Sequence, residues 1–249
     1  MLTAASDLKG CSIGATDGAI GEVEDFYFDD QRWTIRYLAV DTSGWLAGRR
    51  VLVSPRAVRG VDLPNKTISV NLTRAQVEHS PSVDTQQPVD RRYEIEYSRY
   101  YRYPYYWTGP YAWGAEAYPL PVPPVSTPPS PGDSPELGGD PHLRSTQAIT
   151  GYYIEATDGD IGHVNDVLIE DRSWMIRYVE VDTRNWWPGK KVLVSPDWIT
   201  RIDWHDSKVY VGLTREAIKN GPEYKSSIPL DREYESRLYE AYRRPRYWD

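Results

Sequence analysis

Hydrophobic and polar residues alternate along two neighbouring stretches near the start of the chain, Ile20–Phe28 and Trp33–Val40. This two-residue period, with its β-branched and aromatic content, is typical of half-buried β-strands. Asp17-Gly18 is a turn signal, because glycine tolerates the positive φ that a tight hairpin needs. Further short strands are predicted near Arg50–Val53, Val58–Asp62 and Thr67–Leu72. Short strands separated by such frequent turns predict a small β-barrel of six antiparallel strands.

A long internal repeat organises the chain. Residues 15–107 align without a gap on residues 156–248, and about 39 of these 93 positions are identical. Two copies of this length predict two small barrels of one kind, since domains of this size can fold alone. Two equivalent barrels in one chain would imitate a homodimer, so an internal pseudo-dimer is expected.

Each copy ends in an aromatic segment that we call an arm, Tyr93–Trp107 in the first copy and Tyr234–Trp248 in the second. Asp90 and Asp231 are predicted helix N-caps, because their side chains can accept hydrogen bonds from free backbone N–H groups. Apolar residues then recur at a spacing of four, which forms one stripe on a helix. The stripe residues are Tyr93, Tyr97 and Tyr101 in one arm and Tyr234, Leu238 and Tyr242 in the other. We expect each arm to pack on a barrel, and the alternative is that it binds a partner.

The predicted domain order is a barrel with short helices at 1–107, a linker at 108–141 and a second barrel with short helices at 142–249. The linker holds ten of the 20 prolines, which favours an extended, semi-rigid spacer. The net charge is −7 and no domain has a basic excess, so nucleic acid is not the expected partner. A single cysteine, no secretory signal and no long apolar segment indicate a cytoplasmic protein; peripheral binding at the inner membrane is the other expected location.

Residues with catalytic chemistry do not cluster in the sequence. The four histidines are scattered, and none has a counterpart histidine in the other copy. No spacing is typical of a zinc site or of a nucleophile with its base. We therefore predict no enzyme activity, no metal and no cofactor.

Two opposite charges recur in both copies, Asp25 with Arg36 and Asp166 with Arg177. If the hairpin closes over residues 29–32, Asp25 lies opposite Arg36. A cross-strand pair of this kind contributes about 0.2–1 kcal/mol. The pair is therefore predicted to be a structural ion pair in both copies.

Five tryptophans are candidates for partner contact. Trp45 and its counterpart Trp186, beside Trp187, lie in a predicted loop, where an aromatic residue either contacts a partner or covers a barrel end. Trp107 and Trp248 end the two arms. Arginine interleaved with aromatic residues can also stack on bases, although the near-neutral arms lack the charge that phosphate binding needs.

An ordered set of motifs in each copy resembles a known family. The pattern is D-G-x-I-G-x-V-x-D, then W-x-I-R-Y-(L/V)-x-V-D-T, then V-L-V-S-P, at Asp17–Pro55 and Asp158–Pro196. It resembles the PRC-barrel domain of the photosynthetic reaction centre H subunit and of the ribosome maturation factor RimM. The tail Asn220–Tyr224 is similar to that of stand-alone bacterial members.

The resemblance implies a six-stranded barrel that acts as an adaptor for protein complexes and is not an enzyme. The H subunit supports assembly and influences electron transfer between quinones, which implies a membrane-associated, photosynthetic or electron-transport partner. The chain lacks the membrane helix of that subunit and the other domain of RimM, and no quinone-linked residue can be carried over. The alternative function is an RNA- or ribosome-associated factor of the RimM-like branch.

Overall fold

The computed structural model describes most of the 249-residue chain. The described residues are 1–46, 49–83, 89–120, 142–183, 190–226 and 230–249. They divide into two compact units. The first unit comprises Ala5–Gln147 and Asp171–Met175, and the second unit comprises Met1–Ala4, Ala148–Glu170 and Ile176–Asp249. Each unit is thus built on one copy of the repeat and includes a short segment from elsewhere in the chain.

Each unit contains one sheet, whose strands we number in chain order. The chain begins with β1 (Leu2–Ala4). The first copy supplies β2 (Ser12–Ala15), β3 (Gly18–Asp29), β4 (Thr34–Asp41), β5 (Arg50–Val53), β6 (Val58–Asp62) and β7 (Thr67–Val70). After these come β8 (Leu143–Ser145), β9 (Tyr153–Ala156), β10 (Gly159–Glu170), β11 (Ile176–Asp182), β12 (Lys191–Val194), β13 (Ile199–Asp203) and β14 (Lys208–Val211). The prediction of mainly β structure is confirmed.

The two sheets share one topology, which corrects the predicted six-stranded antiparallel arrangement. The order is β5-β4-β3-β2-β7-β6 in the first unit and β12-β11-β10-β9-β14-β13 in the second, each with a seventh strand beside it. Among the described residues the pairings form an open path. β2 pairs with β7 in parallel, as β9 does with β14. It follows from the pairings that β5 and β6 run in the same direction, and the 3₁₀ helix Pro55–Ala57 connects them.

The seventh strand of each sheet comes from a distant part of the sequence. β8 pairs antiparallel with the end of β3 in the first unit. β1 pairs with the end of β10 in the second unit, where Leu2 lies opposite Glu170. The units therefore differ from the predicted domain ranges 1–107 and 142–249. A three-residue strand is too short to carry an alternating pattern that would fix its partner.

The predicted linker 108–141 is described only as far as residue 120. Its described part belongs to the first unit, where Trp113 is buried. This part is therefore packed on the domain and does not act as a spacer. Residues 121–141, which include most of the linker prolines, lie outside the described residues.

One glycine in each long strand lies against the backbone of its neighbour. Gly21 in β3 has a φ of 157°, and a Cβ built there would be 1.9 Å from the carbonyl oxygen of Asp41. Gly162 in β10 has a φ of 144°, and its Cβ would be 2.1 Å from the oxygen of Asp182. Only glycine fits at these positions, because both the φ and the close approach exclude a side chain.

Short helices border the sheets. They are α1 (Ala5–Leu8), α2 (Arg74–Glu78), α3 (Arg91–Tyr101), α4 (Thr146–Ile149), α5 (Arg215–Asn220) and α6 (Arg232–Ala241). The predicted caps are confirmed: Asp90 accepts from the Tyr93 N–H at 2.9 Å, and Asp231 accepts from the Tyr234 N–H at 2.8 Å. In the described part of the chain, no helix is long and apolar enough to cross a membrane.

The arm helix α3 packs on the sheet of its own unit. Tyr97 is buried, and its hydroxyl oxygen accepts a hydrogen bond from the Ser54 N–H at 2.9 Å. Its ring lies 5.0 Å from the ring of Tyr37 in β4, edge to face. Leu52 and Leu143 belong to the same buried cluster. The expectation that the arms pack on the domains is confirmed for this arm.

Candidate functional site at the aromatic arms

A buried carboxylate joins the first arm to its sheet. Glu94 in α3 has no exposed surface. The hydroxyl of Tyr106 donates to it at 2.7 Å, and the guanidinium of Arg91 lies 2.9 Å away. The Tyr37 hydroxyl donates at 3.4 Å from β4, and His142 Nε2 lies 3.0 Å away. The helix, the chain after it and the sheet therefore meet at one carboxylate.

The second unit repeats this carboxylate cluster. Glu235 in α6 accepts from the Tyr178 hydroxyl at 2.8 Å and from the Tyr247 hydroxyl at 3.0 Å. Arg232 lies 3.0 Å from the same carboxylate. These four residues occupy the alignment positions of the first cluster. Neither cluster was predicted from the sequence, where the available signal was that a glutamate, an arginine and two tyrosines are identical in the two copies.

The tyrosines of the clusters are held in their neutral form. Burial, and then the charge of Glu94, raise the pKa of Tyr37 and Tyr106 well above the usual value. Burial, and then Glu235, raise the pKa of Tyr247 to about 12. A neutral phenol can donate to a carboxylate, whereas a phenolate would repel it. The cluster is therefore suited to fixing the arm in place.

Arg36 lies at the centre of the first unit's polar interior, with only 1% of its surface exposed. Its Nη2 donates to Asp29 at 2.9 Å, and its Nη1 donates to the carbonyl of Ala112. The Tyr106 ring lies 3.7 Å from the guanidinium carbon and the Trp113 ring lies 5.0 Å from it. Buried arginine is stable only with such partners, because desolvation of its charge is costly.

A second buried arginine holds the linker segment in place. Arg56 donates to the carbonyl of Trp113 at 2.8 Å and to that of Leu120 at 3.3 Å. Burial, and then the charge of Arg36, lower the pKa of Arg56 to about 10. It therefore stays charged at neutral pH. The described part of the predicted spacer, residues 108–120, therefore packs over the buried guanidinium groups of Arg36 and Arg56.

The predicted ion pair between Asp25 and Arg36 is wrong. Asp25 lies opposite Ala39 in the sheet, and Arg36 bonds to Asp29. The reason is a pair of bulges in β3 and β4, one of which leaves Arg36 without a directly opposite residue. Bulges of this kind re-aim a side chain.

The same correction applies to the second copy. Asp166 lies opposite Glu180, and Arg177 bonds to Glu170 at 2.7 Å. Glu170 stands at the alignment position of Asp29, and an acid at both positions was the signal for the true pair.

Asp25 instead contacts the start of α4. Its carboxylate accepts from the Thr146 hydroxyl at 2.7 Å, from the Ser145 hydroxyl and from the Gln147 N–H at 3.2 Å. Lys9 Nζ lies 3.2 Å from it. Asp25 therefore stabilises the strand β8 in its place beside β3.

The candidate contact tryptophans have different surroundings. Trp45 is half-buried, donates to the Ile20 carbonyl and lies under the guanidinium of Arg74 at 4.4 Å. Trp107 and Trp248 are half-buried at the ends of the arms. Trp186 and Trp187 lie outside the described residues. The role of these tryptophans in partner contact stays a prediction.

The two terminal tryptophans are stacked in the same way. The guanidinium carbon of Arg91 lies 3.9 Å from the ring of Trp107, and that of Arg232 lies 4.3 Å from the ring of Trp248. The arginines that bind the buried carboxylates thus also bind these rings. In the described residues no group of three or more histidine, cysteine, aspartate or glutamate side chains is placed to hold a metal ion.

The fold and the repeated arms define a chain with two copies of one β domain. The PRC-barrel domain family matches residues 3–77 and 150–218, which together exceed half of the chain. The chain belongs to this family and is a tandem PRC-barrel protein. It is 38% identical over 86 residues, 34% of its length, to an uncharacterized protein of Deinococcus radiodurans. That match covers 29% of the relative's own length.

Proposed function

We propose that this chain is a non-catalytic adaptor whose two PRC-barrel domains hold a protein complex together. The observation that carries the proposal is the carboxylate cluster found in both units. A buried glutamate, an arginine and two tyrosines bind one another at Glu94 and again at Glu235. In each cluster the polar groups bind one another, which holds the arm rigidly on its sheet. A rigid surface loses little conformational entropy when it binds a partner.

The clusters differ from catalytic constellations in where their groups point. A catalytic acid or base must lie within hydrogen-bond reach of a substrate in a cleft. Glu94 is completely buried and is surrounded by donors from its own unit. Such an arrangement supports a structural role for the carboxylate. We further infer that each mixed sheet closes into the barrel after which the family is named.

The proposed partner is a membrane-associated protein complex bound from the cytoplasmic side. The support is the resemblance to the reaction-centre H subunit, which also motivates an electron-transport setting. The arms carry exposed arginines such as Arg99 and Arg237, but acidic residues balance their charge, which disfavours the RNA-binding alternative. Arg91 and Arg232 stack on Trp107 and Trp248 and pair with buried glutamates.

The test is recovery of the tagged full chain from its native host. Membrane and cytosolic fractions are separated, and bound partners are identified by mass spectrometry at low and moderate salt. The proposal expects the same protein partners at both salt concentrations, from the membrane fraction. Recovery of RNA or ribosomal particles that is lost as salt rises would contradict it, because phosphate contacts are strongly salt-dependent.

A matched pair of variants sharpens the test. Trp248→Ala removes the half-buried indole ring at the end of the second arm and is expected to reduce capture of the partners. Tyr153→Ala changes a residue that is 58% exposed elsewhere in the same unit and should leave capture unchanged. Circular dichroism of both purified variants checks that they are folded. If the two variants capture equal amounts of the partners, the end of the second arm does not belong to the proposed interface.

A further inference from the structure

The second unit exposes a surface whose counterpart in the first unit is covered by the chain itself. We name the surface around Arg177 and Tyr247 the Arg177 face, and we assign Asp197 to it because Asp197 aligns with Arg56. We propose that the Arg177 face binds a turn of a partner protein that carries a tryptophan and a basic residue. The inference rests on the proposed adaptor function and identifies where and how a partner binds.

The occupant of the equivalent face in the first unit shows which chemistry fits. There the turn Gly109–Ala115 places the ring of Trp113 5.0 Å from the Arg36 guanidinium and 5.4 Å from that of Arg56. The turn also supplies the carbonyls of Ala112 and Trp113 as hydrogen-bond acceptors. The face thus recognises an aromatic ring through cation–π contacts and a backbone through guanidinium donors.

The turn is compact because glycine occupies its two ends. Tyr111 and Gly114 form an antiparallel bridge. A Cβ built on Gly109 would be 2.2 Å from the carbonyl of Gly114, and Gly114 itself has a φ of 88°. This geometry presents the tryptophan and the carbonyls on one side. The bridge that closes the turn is local, so a short peptide can form it. In this chain the guanidinium of Arg32 also holds the turn through the carbonyls of Gly109 and Tyr111.

The Arg177 face keeps one of the three guanidinium groups that bind the turn in the first unit. Arg177 stands at the position of Arg36, whereas Ser173 and Asp197 stand at those of Arg32 and Arg56. Arg177 bonds to Glu170 at 2.7 Å, as Arg36 bonds to Asp29. The ring of Tyr247 lies 4.4 Å from its guanidinium carbon. The Nη1 group of Arg177 has no hydrogen-bond partner among the described residues, whereas Nη1 of Arg36 binds the turn.

Exposure separates the two faces. The side chain of Arg36 is 1% exposed and that of its partner Asp29 is 6% exposed. The side chain of Arg177 is 20% exposed and that of Glu170 is 22% exposed. The described chain therefore leaves an accessible guanidinium group and an aromatic ring where the first unit has a buried site. Accessible arginine and tyrosine are typical anchors of protein interfaces.

One charge is reversed between the two faces, and it indicates a different occupant. Asp197 stands at the alignment position of Arg56 and is exposed. In the first unit, burial and then the charge of Arg36 lower the pKa of Arg56, and the acidic Glu116 of the covering segment offsets a small part of this by favouring the charged form. An acid at position 197 would repel such a segment and attract a basic one. The partner turn is therefore expected to carry lysine or arginine where the covering segment has glutamate.

The experiment titrates labelled peptides onto the full chain and follows fluorescence anisotropy. One peptide has the sequence of residues 108–120, a second carries the change Glu116→Lys, and a third combines Glu116→Lys with Trp113→Ala. We expect saturable binding of the Glu116→Lys peptide, with an affinity about threefold higher than that of the unchanged peptide. The Trp113→Ala peptide should bind at least about tenfold more weakly, since the ring is the anchor.

Protein variants locate the site. Arg177→Gln should weaken binding of the Glu116→Lys peptide by about tenfold. Arg201→Gln is the control, because Arg201 is 58% exposed on β13 of the same unit and belongs to no part of the face. Asp197→Arg should reverse the preference between the two tryptophan peptides. This charge reversal lies on the surface, so it keeps the test decisive even if Arg177→Gln lowers stability.

The outcomes separate this inference from the proposed function. Absence of saturable binding by both tryptophan peptides, or an unchanged preference in folded Asp197→Arg, would overturn the assignment of the face. If Arg177→Gln still captures partners from the host, the adaptor function stands and the Arg177 face is not the binding site. Peptide binding at Arg177 without any partner in the host would support the face and contradict the adaptor proposal.

Discussion

The two copies offer a direct comparison of a buried and a partly exposed ion pair at one alignment position. We predict that Arg36→Gln destabilises the protein far more than Arg177→Gln. Removing one member of a buried pair costs about 3–5 kcal/mol, because the remaining charge stays buried without compensation. Asp29 would keep the backbone N–H groups of Gln31 and Arg32 as donors, so the lower value, about 3 kcal/mol, applies.

The second substitution is the matched control. Glu170 is 22% exposed and can be solvated after Arg177 is lost. A pair with this exposure contributes about 1 kcal/mol or less. In the larger first unit, about 3 kcal/mol lowers the melting temperature by roughly 6–12 °C. In the smaller second unit, about 1 kcal/mol lowers it by roughly 4–8 °C.

The assay must report on each unit separately, because two units in one chain can unfold independently. Hydrogen–deuterium exchange with mass spectrometry does so, since peptides from β3 and β4 report on the first unit and peptides from β10 and β11 on the second. Arg36→Gln should speed exchange in the first set only. Equal destabilisation by the two variants would refute the argument that burial sets the cost.

Three further predictions concern the clusters and the strands. Tyr106→Phe removes a hydrogen-bond donor from a buried carboxylate, so urea unfolding should show a free energy of unfolding about 1–3 kcal/mol lower. Tyr247→Phe should lower the free energy of unfolding by less, because its ring is more exposed. Gly21→Ala should lower the yield of folded protein by at least about tenfold, because its Cβ would collide with backbone; Gly60→Ala has no atom within 4 Å and should be tolerated. Burial raises the pKa of Tyr103 and Tyr247 to about 12 from a usual value of 10.0. Their contribution to the free energy of unfolding is present below pH 10 and is lost as the pH rises towards 12. The urea midpoint should therefore fall over this pH range, and the absorbance of tyrosinate should appear together with unfolding.

Local signals in the sequence predicted local structure well. The predicted strand Ile20–Phe28 lies within β3, and the predicted strand Trp33–Val40 lies within β4 except for its first residue. The predicted caps Asp90 and Asp231 accept hydrogen bonds from backbone N–H groups of their helices. These features depend on residues a few positions apart, so a single sequence contains the information. The PRC-barrel resemblance rested on ordered motifs of this kind.

Features that depend on distant residues were not predictable in the same way. The pair of Asp25 with Arg36 failed because two bulges shift the register, and a bulge leaves no periodic signal. The carboxylate cluster at Glu94 joins residues from a strand, a helix and the segment after it. Its members could have been found only by asking which polar residues are identical in both copies.

The placement of β1 and β8 has a consequence for the order in which the protein is made. β1 is synthesised before the strand it pairs with, β10, which follows more than 150 residues later. β3 likewise waits for β8. At the ordinary pace of synthesis, β1 stays unpaired for roughly 10–30 s. β1 and β8 lie at equivalent positions, 141 residues apart, so each copy gives its first strand to the sheet of the other. A gene cut at the proline-rich segment would leave each half with its own first strand but without the strand that its sheet takes from the other half. The exchange means that neither sheet reaches the form it has in this structure until both halves contribute to it.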